Sequence, residues 1–293
     1  MKQRWTCVLV AVVVTFLVQG LMTVWGQEST GSAHVVETVG ITGTINWSTG
    51  IIKAVGAGTT PRRFMDKPQA RPMALRAAQL DAYGKLLEVT SGVRVNATML
   101  VSDLAVESDE IKTEIEDIVE RTQIANIEYL SDGTVEVTLR MDLRDGLSRA
   151  ILNQVMQKDD RAIPVTRKFL KTAPAVAAEA ISCSGLVVDA RGIGARPALV
   201  PGILNEEGTE IYGAMQVDRK HILKQGLNGY VRDLAGARNN PRVTDSPLVV
   251  KALRAEGPRG SNIVISNDDA DKIQAASGRH SFLKTCRVMI VLD

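Results

Sequence analysis

"CSGLVVDARGIGARPALVP", residues 183–201, decides between two kinds of fold. Its apolar run ends at Asp189 and gives way to Gly192 and Gly194. A strand followed by G-x-G opens a dinucleotide-binding fingerprint. That fingerprint needs a third glycine three residues on, and a helix whose N-terminus meets the phosphate. Here the third position is Pro197, and Pro201 follows four residues later. No helix can start there, so the anion site of a helix N-terminus is missing. No G-x-x-x-x-G-K-[ST] run occurs either. The stretch reads as strand–turn–strand, the opening of a domain over residues 183–293, and no nucleotide or other cofactor is expected.

The rest of that domain alternates strands and short helices. "GILNEEGTEIYGAMQV" (202–217) turns at Asn205–Gly208 between apolar runs. Asp218 is placed to cap "RKHILKQG", and "NGYVRDLAGAR" continues as helix or turn. "PLVVKALRA" and "NIVIS" are strands, and Asn267 is placed to cap "DDADKIQAAS". "CRVMIVLD" (286–293) is a nearly unbroken apolar strand, the pattern of a strand buried on both faces. Cys183 opens the first of these strands and Cys286 the last. If the two strands are neighbours, a Cys183–Cys286 disulfide would close a loop of about a hundred residues and stabilise by ~3–5 kcal/mol. The alternative is two separate buried thiols.

Upstream, residues 158–182 carry two prolines, scattered charge and an alanine-rich tail, and read as a linker. Residues 44–157 read as an α+β domain in the order β-α-β-α-β-β. "TINWSTGIIKAVGAG" is a strand interrupted at Ser48–Gly50. Gln69–Val89 is a helix with a stripe at Leu75, Ala78, Ala82 and Leu86, widened by Leu80, Tyr83 and Leu87. "VRVNATMLV" (93–101) alternates strictly and reads as a strand. Ser108 caps a helix whose stripe is Ile111, Ile115 and Ile118. Asp132–Gly133 is the turn of a hairpin, with Val135, Val137, Leu139 and Met141 on one face of its second strand. Residues 145–157 close the domain as a helix. The overall class is α+β, two mixed α/β domains behind an N-terminal signal or anchor.

That N-terminal segment is Lys2 and Arg4 followed by "WTCVLVAVVVTFLVQGLMTVW" (5–25). A basic head before an apolar run is a secretory signal, with Val24 and Gly26 as a small-residue cleavage site. Uncut, the run reaches the ~20 residues that span a bilayer, and residues 5–25 would contact the inner membrane. Either way the remainder is exported. Residues 1–26 are thus signal or anchor, and residues 27–43 a polar, glycine-rich leader.

Bulk composition narrows the partners. Hydrophobic residues make up 45% and charged residues 23%, which is ordinary for a globular chain. A net charge of +2 and 4% aromatics give no footprint for nucleic acid, by charge or by base stacking. His34, His221 and His280 lie far apart and none has metal-ligand spacing, so no metal is expected. No G-x-S-x-G elbow is present. The remaining candidates are binding residues. Asp189, Arg191 and Arg196 surround the opening turn, as a polar contact surface or as a salt-bridged turn that fixes the strand exit. Arg62 and Arg63 head a basic cluster with Lys67, Arg71 and Arg76, either solvated or facing an anionic polymer. The acidic helix 109–120 reads as a solvated face.

The first domain resembles a known family. "ALRAAQLDAYGKLLEVTSGVRVNATMLV" (74–101) and "IANIEYLSDGTVEVTLRMDL" (124–143) look like the exported Lpp-twenty lipoproteins and the N-terminal domain of flagellar assembly protein T. The matching positions include Ala74, Ala77, Ala78, Asp81, Ala82, Tyr83, Leu86, Gly92, Val93, Asp132 and Gly133. The resemblance covers roughly residues 45–145. It implies a non-catalytic envelope protein, outer-membrane-associated or attached to a flagellar basal body. One departure bears on location. The lipoproteins carry a lipidated Cys, and Cys7 lacks the small residues that precede such a site, which turns the expectation toward a soluble periplasmic or inner-membrane-tethered protein. "GLVVDARG", "RPALVPGIL" and "IYG" look like C-terminal halves paired with such domains.

The expected function is therefore a non-catalytic, structural or interaction protein of the bacterial cell envelope, with envelope or flagellar proteins as partners. A periplasmic module binding a ligand or glycan such as peptidoglycan is the alternative, and an exported enzyme the third.

Overall fold

Two sheets organise the chain. The computed structural model describes residues 34–144, 146–161, 183–277 and 282–293. The expected signal or anchor, the start of the leader, most of the linker and His280 lie outside these residues. Among the described residues no helix is long and apolar enough to cross a membrane.

The first sheet is antiparallel throughout, in the order β1-β2-β3-β5-β4. Its strands are β1 (Val36–Val39), β2 (Gly43–Asn46), β3 (Ile51–Gly58), β4 (Gln123–Tyr129) and β5 (Val135–Asp142). β1 corrects the expected leader: Glu37 pairs with Ile45 of β2 in the register Val36↔Asn46 to Val39↔Gly43. The hairpin at Asp132–Gly133 forms as expected, with Gly133 at φ +85° and Thr134 N–H donating to Asp132 Oδ1 at 2.9 Å. The left-handed φ is why glycine suits that corner.

Helix α1 (Ala70–Ser91) lies across β3 and β5, with Ala74, Ala78, Ala82, Leu86 and Val89 buried. The expected stripe stands except at its edge, where Leu80 is exposed. Facing glycines explain the alanines. A Cβ at Gly56 would sit 2.1 Å from the Ala82 nitrogen, and one at Gly58 would sit 2.3 Å from the Ala74 carbonyl oxygen. Helix and strand backbones therefore meet with almost nothing between them, and a larger residue on either side would push them apart. Asp81 finishes this contact by accepting the Ala57 N–H at 2.8 Å and pairing with Lys85 at 2.7 Å.

Helices α2 (Val101–Glu107), α3 (Asp109–Glu120) and α4 (Gly146–Arg161) complete this half. Ser108 Oγ accepts from Ile111 N–H at the start of α3, as expected. The strand expected over 93–101 does not form. Asn96 Oδ1 accepts from the N–H groups of Thr98 and Met99, both at 2.9 Å, and turns the chain back on itself. Only an isolated bridge, Arg94 to Leu100, remains, and the last residues become α2. The alternation was real as burial, since Val93, Val95 and Ala97 all point into the core. It belongs to a loop whose partners lie a hundred residues away. The observed order is β-β-β-α-α-α-β-β-α.

The second sheet runs β8-β7-β11-β10-β6-β12-β9. Its strands are β6 (Leu186–Asp189), β7 (Ile203–Leu204), β8 (Glu210–Tyr212), β9 (Gly229–Val231), β10 (Leu248–Glu256), β11 (Asn262–Ile265) and β12 (Val288–Val291). β10, β6, β12 and β9 are parallel, whereas β11 returns antiparallel to β10. A register shift between Ala252 and Arg254 bends β10 between these neighbours. All four residues of β12 are buried, which fits the expected two-sided burial. Helices α5 (Arg219–Gln225), α6 (Leu234–Arg238) and α7 (Asn267–Ser277) flank the sheet. Residues 229–231 form a strand rather than helix or turn. Ser266, not Asn267, caps α7, through Asp269 N–H at 3.1 Å.

The α+β class with two sheet-based domains is what the structure shows. Cys183 and Cys286 correct the expected disulfide: β6 and β12 are indeed neighbours, but both cysteines are buried free thiols. The register explains it. Leu186 pairs with Val288, so two residues earlier Ser184, not Cys183, falls opposite Cys286.

Candidate binding cleft

The stretch that follows the turn at 191–194 forms a seam between the two sheets. Ala198 N–H donates to the Tyr230 hydroxyl at 2.9 Å, and that hydroxyl donates back to the Ala198 carbonyl at 2.8 Å. Leu199 N–H reaches the Arg94 carbonyl at 3.0 Å, and Val200 N–H the Val95 carbonyl at 2.8 Å. Arg94, only 7% exposed, closes the seam from the other side. Its Nε donates to the Pro197 carbonyl at 2.7 Å, and its two Nη atoms take both oxygens of Glu37. Burial pushes the Glu37 carboxyl up, but the Arg94 guanidinium and the Trp47 N–H pull it further down, so it titrates below the ordinary glutamate value. A second contact lies at the β10–β11 turn. There Arg259 N–H donates to the Ala97 carbonyl at 3.1 Å, and its guanidinium lies 3.3 Å from Asp103.

Beside this seam opens a cleft with a cavity volume of about 350 Å³. The β2–β3 turn supplies Trp47, Ser48 and Gly50; the region around the start of α4 supplies Leu143, Arg144, Ser148 and Ile151. The second half supplies the loop from Gln225 to Asn228, strand β9 and Arg242. Trp47 and Tyr230 meet edge to face, with ring centroids 6.1 Å apart, and the Arg94 guanidinium lies 5.5 Å from the Trp47 ring. Burial pushes the Tyr230 phenol up to about 12, so it stays protonated and able to donate.

Arg242 holds the far wall. Its guanidinium donates to the carbonyls of Gln225 and Gly226 at the end of α5, and to the Cys286 carbonyl at 2.9 Å. A cation at a helix C-terminus is favourable. No carboxylate is among these partners, and burial holds the group below the ordinary arginine value. Arg144 reaches over the β2–β3 turn to the Thr49 carbonyl and lies 3.3 Å from Asp142. Gly50, at φ +72°, leaves room for it: a Cβ there would sit 3.0 Å from the guanidinium. Gly229 does the same for Arg242, whose Nε would be 3.4 Å from an added Cβ.

None of the residues expected from sequence lines this cleft. Asp189 and Arg191 form a two-pronged ion pair, both contacts at 2.8 Å, which corresponds to the salt-bridged turn. Hydrogen bonding from Arg191 holds the Asp189 carboxyl below its ordinary value. Gly192 N–H donates to both Asp293 carboxylate oxygens, at 2.9 and 3.0 Å. Arg196 donates its N–H to the Gly260 carbonyl, and its charge helps hold the Glu37 carboxyl down. Arg62 and Arg63 are exposed on a short 3₁₀ turn, where Arg63 stacks on Phe64 at 4.9 Å. His34 reaches Asn46 from the cleft rim. Among the described residues no group of three acidic, His or Cys side chains is placed to hold a metal.

Sequence reasoning missed Trp47, Arg144, Asn228, Tyr230 and Arg242. One signal was available: Trp47 and Tyr230 are conspicuous in a chain with 3 tryptophans and 4 tyrosines. Nothing local could have placed them together across 183 intervening positions.

The family model described as the second domain of Treponema pallidum Tp0624 matches residues 185–293. The match begins one residue before β6 and takes in all seven strands of the second sheet. No curated protein matches the chain.

Proposed function

We propose that the chain is a non-catalytic protein of the bacterial cell envelope that acts by binding, through the cleft between its two sheets. The observation that carries this reading is the cleft itself, a concavity at an inter-sheet seam with a mixed polar and apolar lining. Its polar side chains are engaged in holding structure rather than aligned as nucleophile and base. Ser148 Oγ donates to the Leu143 carbonyl, Ser48 Oγ accepts the Val35 N–H at 2.8 Å, and the described contact of the His34 ring is with Asn46. The envelope location rests on the basic head and apolar run of residues 2–25, and on the resemblance to exported lipoproteins and flagellar assembly proteins. The match to a second domain of another protein supports residues 185–293 as a unit that recurs behind different partners. Export, a periplasmic or inner-membrane-tethered state and a role beside envelope or flagellar assemblies all belong to this proposal.

The test uses the tagged full chain with a photo-crosslinking residue at Ser48 on the cleft wall. The expected result is recovery in the envelope fraction, with adducts that form at Ser48 and not at a control position on the far surface, such as Glu114. Recovery as free monomer in the cytoplasm, without adducts, would sink the reading.

A further inference from the structure

Four features of the cleft converge. First, two arginines, Arg144 and Arg242, line it, and no Asp or Glu does. Second, Arg242 is half-buried and bonded only to main-chain carbonyls, and the other cation that bears on its charge is Arg144. Asp142 offsets Arg144 in part, at 3.3 Å, where both groups are open to solvent and the pair is weak. Third, Asn228 Nδ2 is shielded from solvent and makes no hydrogen bond. The neighbouring Tyr230 hydroxyl cannot serve it well, because that oxygen is already committed to Ala198 as donor and acceptor. A shielded amide donor without an acceptor is costly and rare. Fourth, the aromatic pair Trp47–Tyr230 and the side chains of Ile151 and Leu199 supply an apolar wall. Unspent donors and excess positive charge call for acceptor oxygens with negative charge, and the apolar wall calls for a carbon body beside them. A volume of about 350 Å³ is near the small end of ligand pockets, which run ~300–1,000 Å³.

We infer that the cleft binds a small amphipathic anion, its carboxylate or phosphate seated between Arg144, Arg242 and Asn228 and its apolar body against Trp47 and Tyr230. This rests on the proposed binding function and names the ligand class of the same site. The ordinary structural role of Arg242, clamping the end of α5 to the residue before β12, is compatible with it. That clamp uses Nη1 and Nη2 and leaves Nε facing Gly229 in β9.

Calorimetric titration of the full chain in neutral detergent tests this, with sodium benzoate, phenyl phosphate and benzamidinium chloride at one ionic strength. Both anions are expected to bind one to one, and benzamidinium not at all. The benzoate and phosphate arms separate the two head groups. Asn228→Leu and Arg144→Gln are each expected to weaken the preferred anion at least tenfold, with an unchanged melting temperature in the absence of ligand. Arg242 is left intact because its loss would also release α5. The inference is overturned if neither anion binds the folded chain, if benzamidinium binds as well as they do, or if both variants bind within twofold of the parent. A chain that reaches the envelope and crosslinks at Ser48 but ignores both anions would lose only the ligand class. One that binds anions yet stays in the cytoplasm would lose only the envelope assignment.

Discussion

Arg94 and Arg242 are both taken largely out of water at the boundary of the two sheets, and they are treated in opposite ways. Arg94 meets the Glu37 carboxylate with two prongs, donates its third nitrogen to the Pro197 carbonyl and lies over Trp47. Its charge is neutralised within the fold. Arg242 is given three carbonyls and no carboxylate. A buried ion pair with every donor used is a fastening, and it is costly to break from one side. A half-buried cation satisfied only by dipoles keeps an unbalanced charge, which a ligand can balance. The contrast separates the seam from the cleft, although the two lie side by side and share Trp47 and Tyr230.

The largest effect expected from breaking this contrast is on the seam. Glu37→Ala leaves Arg94 buried without its carboxylate and is expected to cost about 2–4 kcal/mol, toward the lower side of one-sided breaks in buried pairs because Glu37 is partly exposed. Arg94→Met combined with Glu37→Leu removes both charges and is expected to recover much of that loss. Urea unfolding of the three variants reads both outcomes; equal stability of parent and Glu37→Ala would deny the seam its fastening role.

A smaller effect follows from pH. The Glu37 carboxyl titrates below its ordinary value of 4.5 when folded. Its contribution to stability is therefore fully present above that value and is lost as the pH falls through the lower folded value. Between pH 6 and pH 3 the parent should lose stability more steeply than Glu37→Gln, and parallel curves would contradict the assignment. The smallest effect belongs to the Asp189–Arg191 turn. Asp189→Asn there should change stability by less than ~1 kcal/mol, since Arg191 is substantially exposed. A larger loss in thermal melts would mean that the turn does more than fix a strand exit.

What could be read from sequence followed from short-range patterns. The helix at 70–91 shows its stripe, the hairpin shows its Asp-Gly corner, and β12 shows its unbroken apolar run, because each is set by residues within a few positions of one another. The segment 93–101 misled for the same reason. Alternating burial is what a strand produces, and a loop held by Asn96 against residues 199–200 produces it too. The candidate site was the least legible part. Asp189, Arg191 and Arg196 cluster along the chain and so drew attention, but the cleft is assembled from residues 47, 144, 228, 230 and 242, and only the fold brings those together. Glycines 192 and 194 supplied a left-handed turn, at φ +79° and +66°, rather than a phosphate cradle.

The two prolines that argued against a nucleotide loop have a further consequence. Proline has no N–H to give. The three residues between Pro197 and Pro201 are Ala198, Leu199 and Val200, and each donates its N–H across the seam, to the Tyr230 hydroxyl and to the carbonyls of Arg94 and Val95. A slip of one residue in either direction would set a proline against one of those acceptors and leave it bare. The pair of imino acids thus acts as a ratchet stop on either side of a three-toothed rack, allowing the two halves to mesh in a single alignment whatever side chains the teeth carry.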